Sequence, residues 1–183
     1  MESFTLHSSL LLYVSKGDPM ARVHDGRYTA AAEGDFVVFV IGMRINKLWK
    51  VHRWVPVARA MGPMIAELMR HPDKGLLGAR TMVGWRTINL IQYWKSFEHL
   101  EHFARNADDP HLVAWRRYNQ RVGTSGDVGV YHETYRMTPG THESVYANMP
   151  VMGLAAAFEH SPIGRRTETA RGRIESAAAV DEA

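Results

Sequence analysis

The sequence predicts an α+β fold of the ferredoxin-like kind: a split β-α-β unit whose four-stranded antiparallel sheet carries its helices on one face. Three observations predict it. Strand-like and helix-like stretches follow one another in the order β-α-β-β-α-α-β. The first strand is apolar at both odd and even positions, as a strand covered on both faces is. The last strand alternates, as a half-covered strand does.

Each element has its own justification. Phe36 to Met43 is β-branched and aromatic, hence a strand. From Trp49 to Arg70, Trp54, Ala58, Met61, Ile65, Leu68 and Met69 recur at the three- and four-residue spacing that lines one face of a helix. Pro56 suits its first turn, Gly62-Pro63 is expected to kink or loosen it, and His71 to Gly75 ends it. Leu76 to Val83 and Thr87 to Trp94 read as strands joined by a turn at Gly84 to Arg86. In the second, Ile88, Leu90, Gln92 and Trp94 face one way and Asn89, Ile91 and Tyr93 the other. Ser96 caps a helix, with His99 where a capping box has Glu, and Leu100 and Phe103 turn inward. Asp109 as N-cap and Pro110 as first helical residue open another helix, through His111, Ala114, Trp115 and Tyr118. Asp127 to Met137 is the final strand, with Val128, Val130, His132 and Thr134 on one face and Gly129, Tyr131, Glu133 and Tyr135 on the other.

Both ends look unlike the middle. Residues 1–26 are expected to be a flexible N-terminal extension. Met20 leaves two readings open, an internal start or an ordinary arm. Residues 27–160 form the domain. Residues 161–183 carry four Arg, four acids and few apolar side chains, which predicts a disordered, solvated C-terminal tail.

Composition excludes several function classes. The chain has 183 residues, 45% hydrophobic and 22% charged, enough for one packed domain. No cysteine means no disulfide scaffold, thiolate metal site or cysteine nucleophile. A net charge of +3 without a dense Lys/Arg stripe predicts no nucleic-acid partner. Leu10 to Val14 is too short for a membrane span and lacks a basic leader, so no membrane partner and a cytoplasmic location are expected. There is no Gly-rich phosphate loop, nucleophile elbow or glycosidase carboxylate pair. Helices on one face would leave the other face apolar and open to water, so a homodimer with sheets face to face, a dimeric α/β barrel, is predicted.

Several blocks resemble a known family. They are Gly42-Met43-Arg44-Ile45-Asn46, Gln92 to Leu100, Asp109-Pro110-His111 with Trp115, and Val128 to Tyr135. Tyr146 to Pro150 and Gly153-Leu154 extend the likeness to about residues 27–155. The chain resembles a monooxygenase-like family filed as domain of unknown function 4188. More remotely it is similar to the dimeric α/β-barrel superfamily of antibiotic-biosynthesis monooxygenases, haem-degrading monooxygenases and haem aldoxime dehydratases. The resemblance implies a pocket between sheet and helices, and an iron-ligating histidine at His111 if haem is bound. Phe103 stands where haem-degrading members carry a tryptophan, a departure from that pattern. Asn46 is similar to an active-site asparagine of those enzymes.

The candidate site residues follow. His111, in a helix's first turn, is a general base or haem ligand, or else a surface histidine packed on Trp115. His132 is an acid/base residue or a satisfied mid-strand histidine. Arg44 and Lys47 offer partners for a haem propionate or a substrate carboxylate, or simply a basic strand end. Tyr93, Trp94, Phe103 and Trp115 are the expected pocket walls, with Tyr146 to Pro150 as lid or buried segment. His99 and His102 lie at a metal-binding spacing but more simply make a wetted helix face. These residues and the resemblance imply a monooxygenase acting on an apolar or aromatic small molecule, cofactor-free or haem-dependent. The alternatives are an aldoxime dehydratase-like haem lyase, with His132 as distal histidine, and a non-catalytic protein binding a hydrophobic ligand or haem.

Overall fold

A computed structural model describes residues 22–106, 120 and 123–180. Its central sheet is the predicted one. Strands β2 (Phe36–Ile45), β3 (Leu76–Val83), β4 (Thr87–Trp94) and β5 (Val128–Met137) lie in the order β3-β4-β2-β5, every pair antiparallel. β3 and β2 flank β4, which splits the β-α-β unit they form with helix α1 (Val51–Arg70). Helix α2 (Phe97–Arg105) follows β4, with Ser96 as N-cap accepting from the His99 backbone N–H. The helix predicted from Asp109-Pro110 lies outside the described residues. Pro56 lies past the first turn of α1, and both Pro56 and Pro63 are accommodated inside it.

The pleat of β2 sorts two cores. Its odd residues meet the helices: Val37 packs with Ile65, Leu68, Leu90, Trp94, Leu100 and Phe103, and Met43 and Ile45 pack with Val128. Its even residues face away, and Phe36 and Val38 join Ala32, Tyr93, Met137, Leu154 and Phe158. The strand apolar on both faces is thus the central strand, covered on both.

The second covering layer comes from the chain itself, which corrects two expectations. The lead-in through residues 21–34 contains strand β1 (His24–Ala31), so the ordered domain starts before residue 27. β1 pairs with β6 (Tyr146–Met149) and β7 (Glu159–Pro162) in a second antiparallel sheet, ordered β6-β1-β7. With the short helix α3 (Leu154–Ala157), it supplies the residues that cover Phe36, Val38 and Tyr93. Nor is 161–183 a solvated tail throughout: a 3-10 turn at Arg165–Thr167 leads into helix α4 (Ala170–Val180). Polar contacts hold α4. Arg173, 8% exposed, donates to the Glu143 carboxylate at 2.7 Å and to the carbonyls of Thr167 and Glu168. A helix anchored by polar contacts carries no apolar periodicity, so its sequence resembles that of a tail.

Part of the outward face of the sheet remains uncovered. Tyr131, Tyr135 and Met82 are exposed there, beside half-buried Val40 and Ile91. Tyr131 crosses β2 above Gly42 and donates to Asn89 Oδ1 on β4 at 3.1 Å. A Cβ on Gly42 would lie 2.9 Å from Tyr131 Cζ and closer still to Asn89 Oδ1, so this crossing requires glycine.

Candidate functional site

His132 is placed by the register of β5. It lies opposite Ile41, so its side chain is on the helix-facing side with Val130 and Thr134. It is exposed, and its imidazole centroid is 5.6 Å from that of Phe39, tilted 38°. Phe39 and Ile41 are half-buried against the main core. The arrangement is an imidazole at the rim of an apolar floor. An imidazole there can accept or return a proton, and the floor offers flat contact to an aromatic or aliphatic molecule.

The other candidates do not converge on it. Asn46 lies five residues beyond Ile41 along β2, about 17 Å away at strand rise. Its amide accepts from Arg44 Nη1 and donates to the Gly126 carbonyl at 3.1 Å. Its backbone carbonyl accepts from Arg86 Nη2 at 2.9 Å. Asn46 therefore ties the β2–α1 loop to its neighbours. Arg44 is on the sheet face opposite His132, and Lys47 is engaged by Asp127 at 2.8 Å. Asp127, 1% exposed, also takes Lys50 at 2.9 Å, and the hydrogen bonds from both lysines lower its carboxyl from 3.8 to about 2. This loop clamp was invisible in sequence because its partners lie about 80 residues apart.

The expected pocket walls divide between the two faces of the sheet. Trp94 and Phe103 do meet, with centroids 5.6 Å apart, but inside the packed helix-side core. Trp94 is fully buried, and its indole N–H donates to Gln92 Oε1 at 2.8 Å. Tyr93, its neighbour in sequence, necessarily points the other way. Burial raises the Tyr93 phenol above its usual value, and nearby Tyr146 adds to this. Tyr146 accepts from the Ala155 backbone N–H at 3.2 Å and belongs to β6, so its segment is a sheet strand and not a lid. His111 and Trp115 lie outside the described residues.

Of the two histidines on α2, His102 is exposed and His99 is half-buried. His99 closes on its own cap, with Nδ1 2.9 Å from Ser96 Oγ, and its ring fills the space beside Gly75. Among the described residues, no group of three or more His, Asp or Glu could hold a metal ion. Sequence reading missed an aromatic-histidine stack in the second sheet. Tyr28 lies on His160 at 4.2 Å, with His24 edge-on at 4.9 Å. His24–Ala31 shows no alternation, so no periodic signal marked it.

Trp94 and Phe103, two of the expected pocket walls, contact each other and pack with Leu68 and Leu90. Arg44, the expected propionate partner, is on the opposite face of the sheet from that core.

Comparison with known proteins agrees with the fold. A protein of Aspergillus fumigatus named monooxygenase af470 is 29% identical over 156 residues. The match covers 77% of this chain and 54% of that protein, so the chain spans about half of its relative's length. The crystal structure of an aldoxime dehydratase (OxdRE) in complex with butyraldoxime has a TM-score of 0.58 at 15% identity, over 74% of this chain and 42% of that one. That likeness is one of fold. SnoaB, a cofactor-independent oxygenase from Streptomyces nogalater, is a looser neighbour, with a TM-score of 0.41 at 12% identity over 55% of this chain and 91% of its own. The sequence model of one family matches residues 36–154, which span the whole central sheet, and the chain therefore belongs to the monooxygenase af470-like family.

Proposed function

We propose that the chain is a cofactor-free monooxygenase for an apolar, phenolic small molecule, with His132 as its base. The observation that carries this reading is the exposed imidazole of His132 beside the half-buried Phe39 and Ile41. Family membership supports it. His132 takes the phenolic proton, and the anion passes one electron to dioxygen. Recombination forms a carbon–oxygen bond. Loss of water then leaves a carbonyl where the substrate had a CH2 carbon in its keto form. One oxygen atom enters the product and the other leaves as water, so the substrate supplies every electron. The apolar floor favours the reaction by excluding water from the anion.

The test is oxygen uptake with polycyclic phenols and no added cofactor. His132→Ala should lower the rate by about 10²–10⁴-fold. Its melting temperature should scarcely change, because the side chain is exposed. Full activity in the variant, or dependence on added flavin or hemin, would refute the proposal.

The same reading includes a homodimer through the uncovered part of the sheet face, around Tyr131, Tyr135, Met82, Val40 and Ile91. Pairing two such patches removes apolar area from water, and a twofold axis makes the patch its own partner. A monomer by light scattering at micromolar concentration would exclude it.

A further inference from the structure

We infer that one end of the domain docks on an anionic lipid surface. This inference stands on surface chemistry alone and is independent of the reaction proposed above. The end in question gathers three segments: the β2–α1 loop, the β3–β4 turn and the stretch leading into β5. They are tied together. Ile45 N–H donates to the Arg86 carbonyl at 2.7 Å, and Arg86 Nη2 to the Asn46 carbonyl at 2.9 Å. The backbone N–H groups of Asn46 and Lys47 both donate to the Asp127 carbonyl.

Two features of this end fit a bilayer. Trp49 is 73% exposed and Trp85 87%, with Val51 and Val83 each at least half exposed beside them in sequence. Trp85 sits at the tip of a tight turn closed by Gly84 N–H donating to the Thr87 carbonyl at 2.8 Å. An indole on such a tip is amphipathic, the kind of group that settles at a membrane–water interface. The second feature is charge. Across residues 44–53, 83–87 and 123–128 there are five cations, Arg44, Lys47, Lys50, Arg53 and Arg86, and a single carboxylate, Asp127. Asp127 is buried under Lys47 and Lys50, so the outward surface is cationic. Arg44 and Arg86 bond to neutral oxygens of Asn46, which leaves their charge uncompensated by those contacts. Apolar aromatic tips among cations complement a surface of anionic headgroups over a hydrocarbon layer. No helix among the described residues is long and apolar enough to cross a membrane, so the contact is peripheral.

The test is sedimentation of the full chain with vesicles of phosphatidylcholine alone or mixed with phosphatidylserine. Binding should require phosphatidylserine and weaken as salt rises. In Trp49→Ser/Trp85→Ser it should fall by about tenfold or more. Brominated lipid should quench tryptophan fluorescence in the parent chain and not in this variant. Circular dichroism should match between the two, since both side chains are exposed. No binding, binding equally strong to neutral vesicles, or binding retained by the variant would each overturn the inference. So would a change of oligomeric state in the variant, which would make this end a contact between copies.

Discussion

Replacing Trp94 by Phe distinguishes a core tryptophan from a pocket wall. Trp94 is fully buried among Val37, Leu68, Leu90 and Phe103. The smaller ring leaves a partly collapsed void, which costs about 1–2 kcal/mol. It also removes the hydrogen bond that buried Gln92 Oε1 accepts from the indole, and an unpaired buried acceptor adds about 1–3 kcal/mol. Trp94→Phe should therefore destabilise by about 2–5 kcal/mol. Adding Gln92→Met to the variant removes the orphaned acceptor, and the double variant should regain about 1–3 kcal/mol. Urea unfolding of the parent, both single variants and the double variant measures this. The midpoints should shift with little change in slope. Two results would refute the reasoning: a loss in Trp94→Phe under about 0.5 kcal/mol with a raised KM, or strictly additive single effects. The first would return Trp94 to the substrate.

Two further predictions concern the loop clamp and the C-terminal helix. Asp127 has a folded-state pKa depressed from 3.8 to about 2, so its contribution is present above about 4 and is lost as pH falls through 2. Thermal melts across this window should fall more steeply for the parent chain than for Asp127→Asn, and equal slopes would contradict the clamp. Arg173→Ala removes the polar anchor of α4 while leaving the main core intact, so limited proteolysis should cut residues 164–180 faster. An unchanged cleavage rate would mean that α4 is held otherwise.

Legibility in the sequence followed physical range. The central strands and α1 were readable because their patterns repeat locally, at period 2 or 3.6. That His132 shares a face with Val130 and Thr134 was legible because alternation alone sets it, whereas which layer that face meets came from its register with Ile41. Its isolation from Asn46 and Arg44 was not legible, because that depends on distance along β2 and on which partners claim each side chain. The layer of β1, β6, β7 and α4 left no periodic trace. Its bonds are polar and join distant residues: Thr29 Oγ1 donates to the Ser144 carbonyl at 2.8 Å, and Gly26 N–H to Asn148 Oδ1 at 3.0 Å.

By itself, then, the sequence determined the ferredoxin-like sheet, which residues of an alternating strand share a face, and the family, because each is written in short-range patterning or in contiguous blocks. Tertiary structure alone decided three things. Trp94 is core and not pocket, because its indole N–H finds Gln92 inside a filled layer. One end of the outward face is covered by the chain's own second sheet, which narrows the patch left for a second copy. And three sequence-distant segments assemble one cationic, tryptophan-tipped end, a juxtaposition that no local pattern encodes.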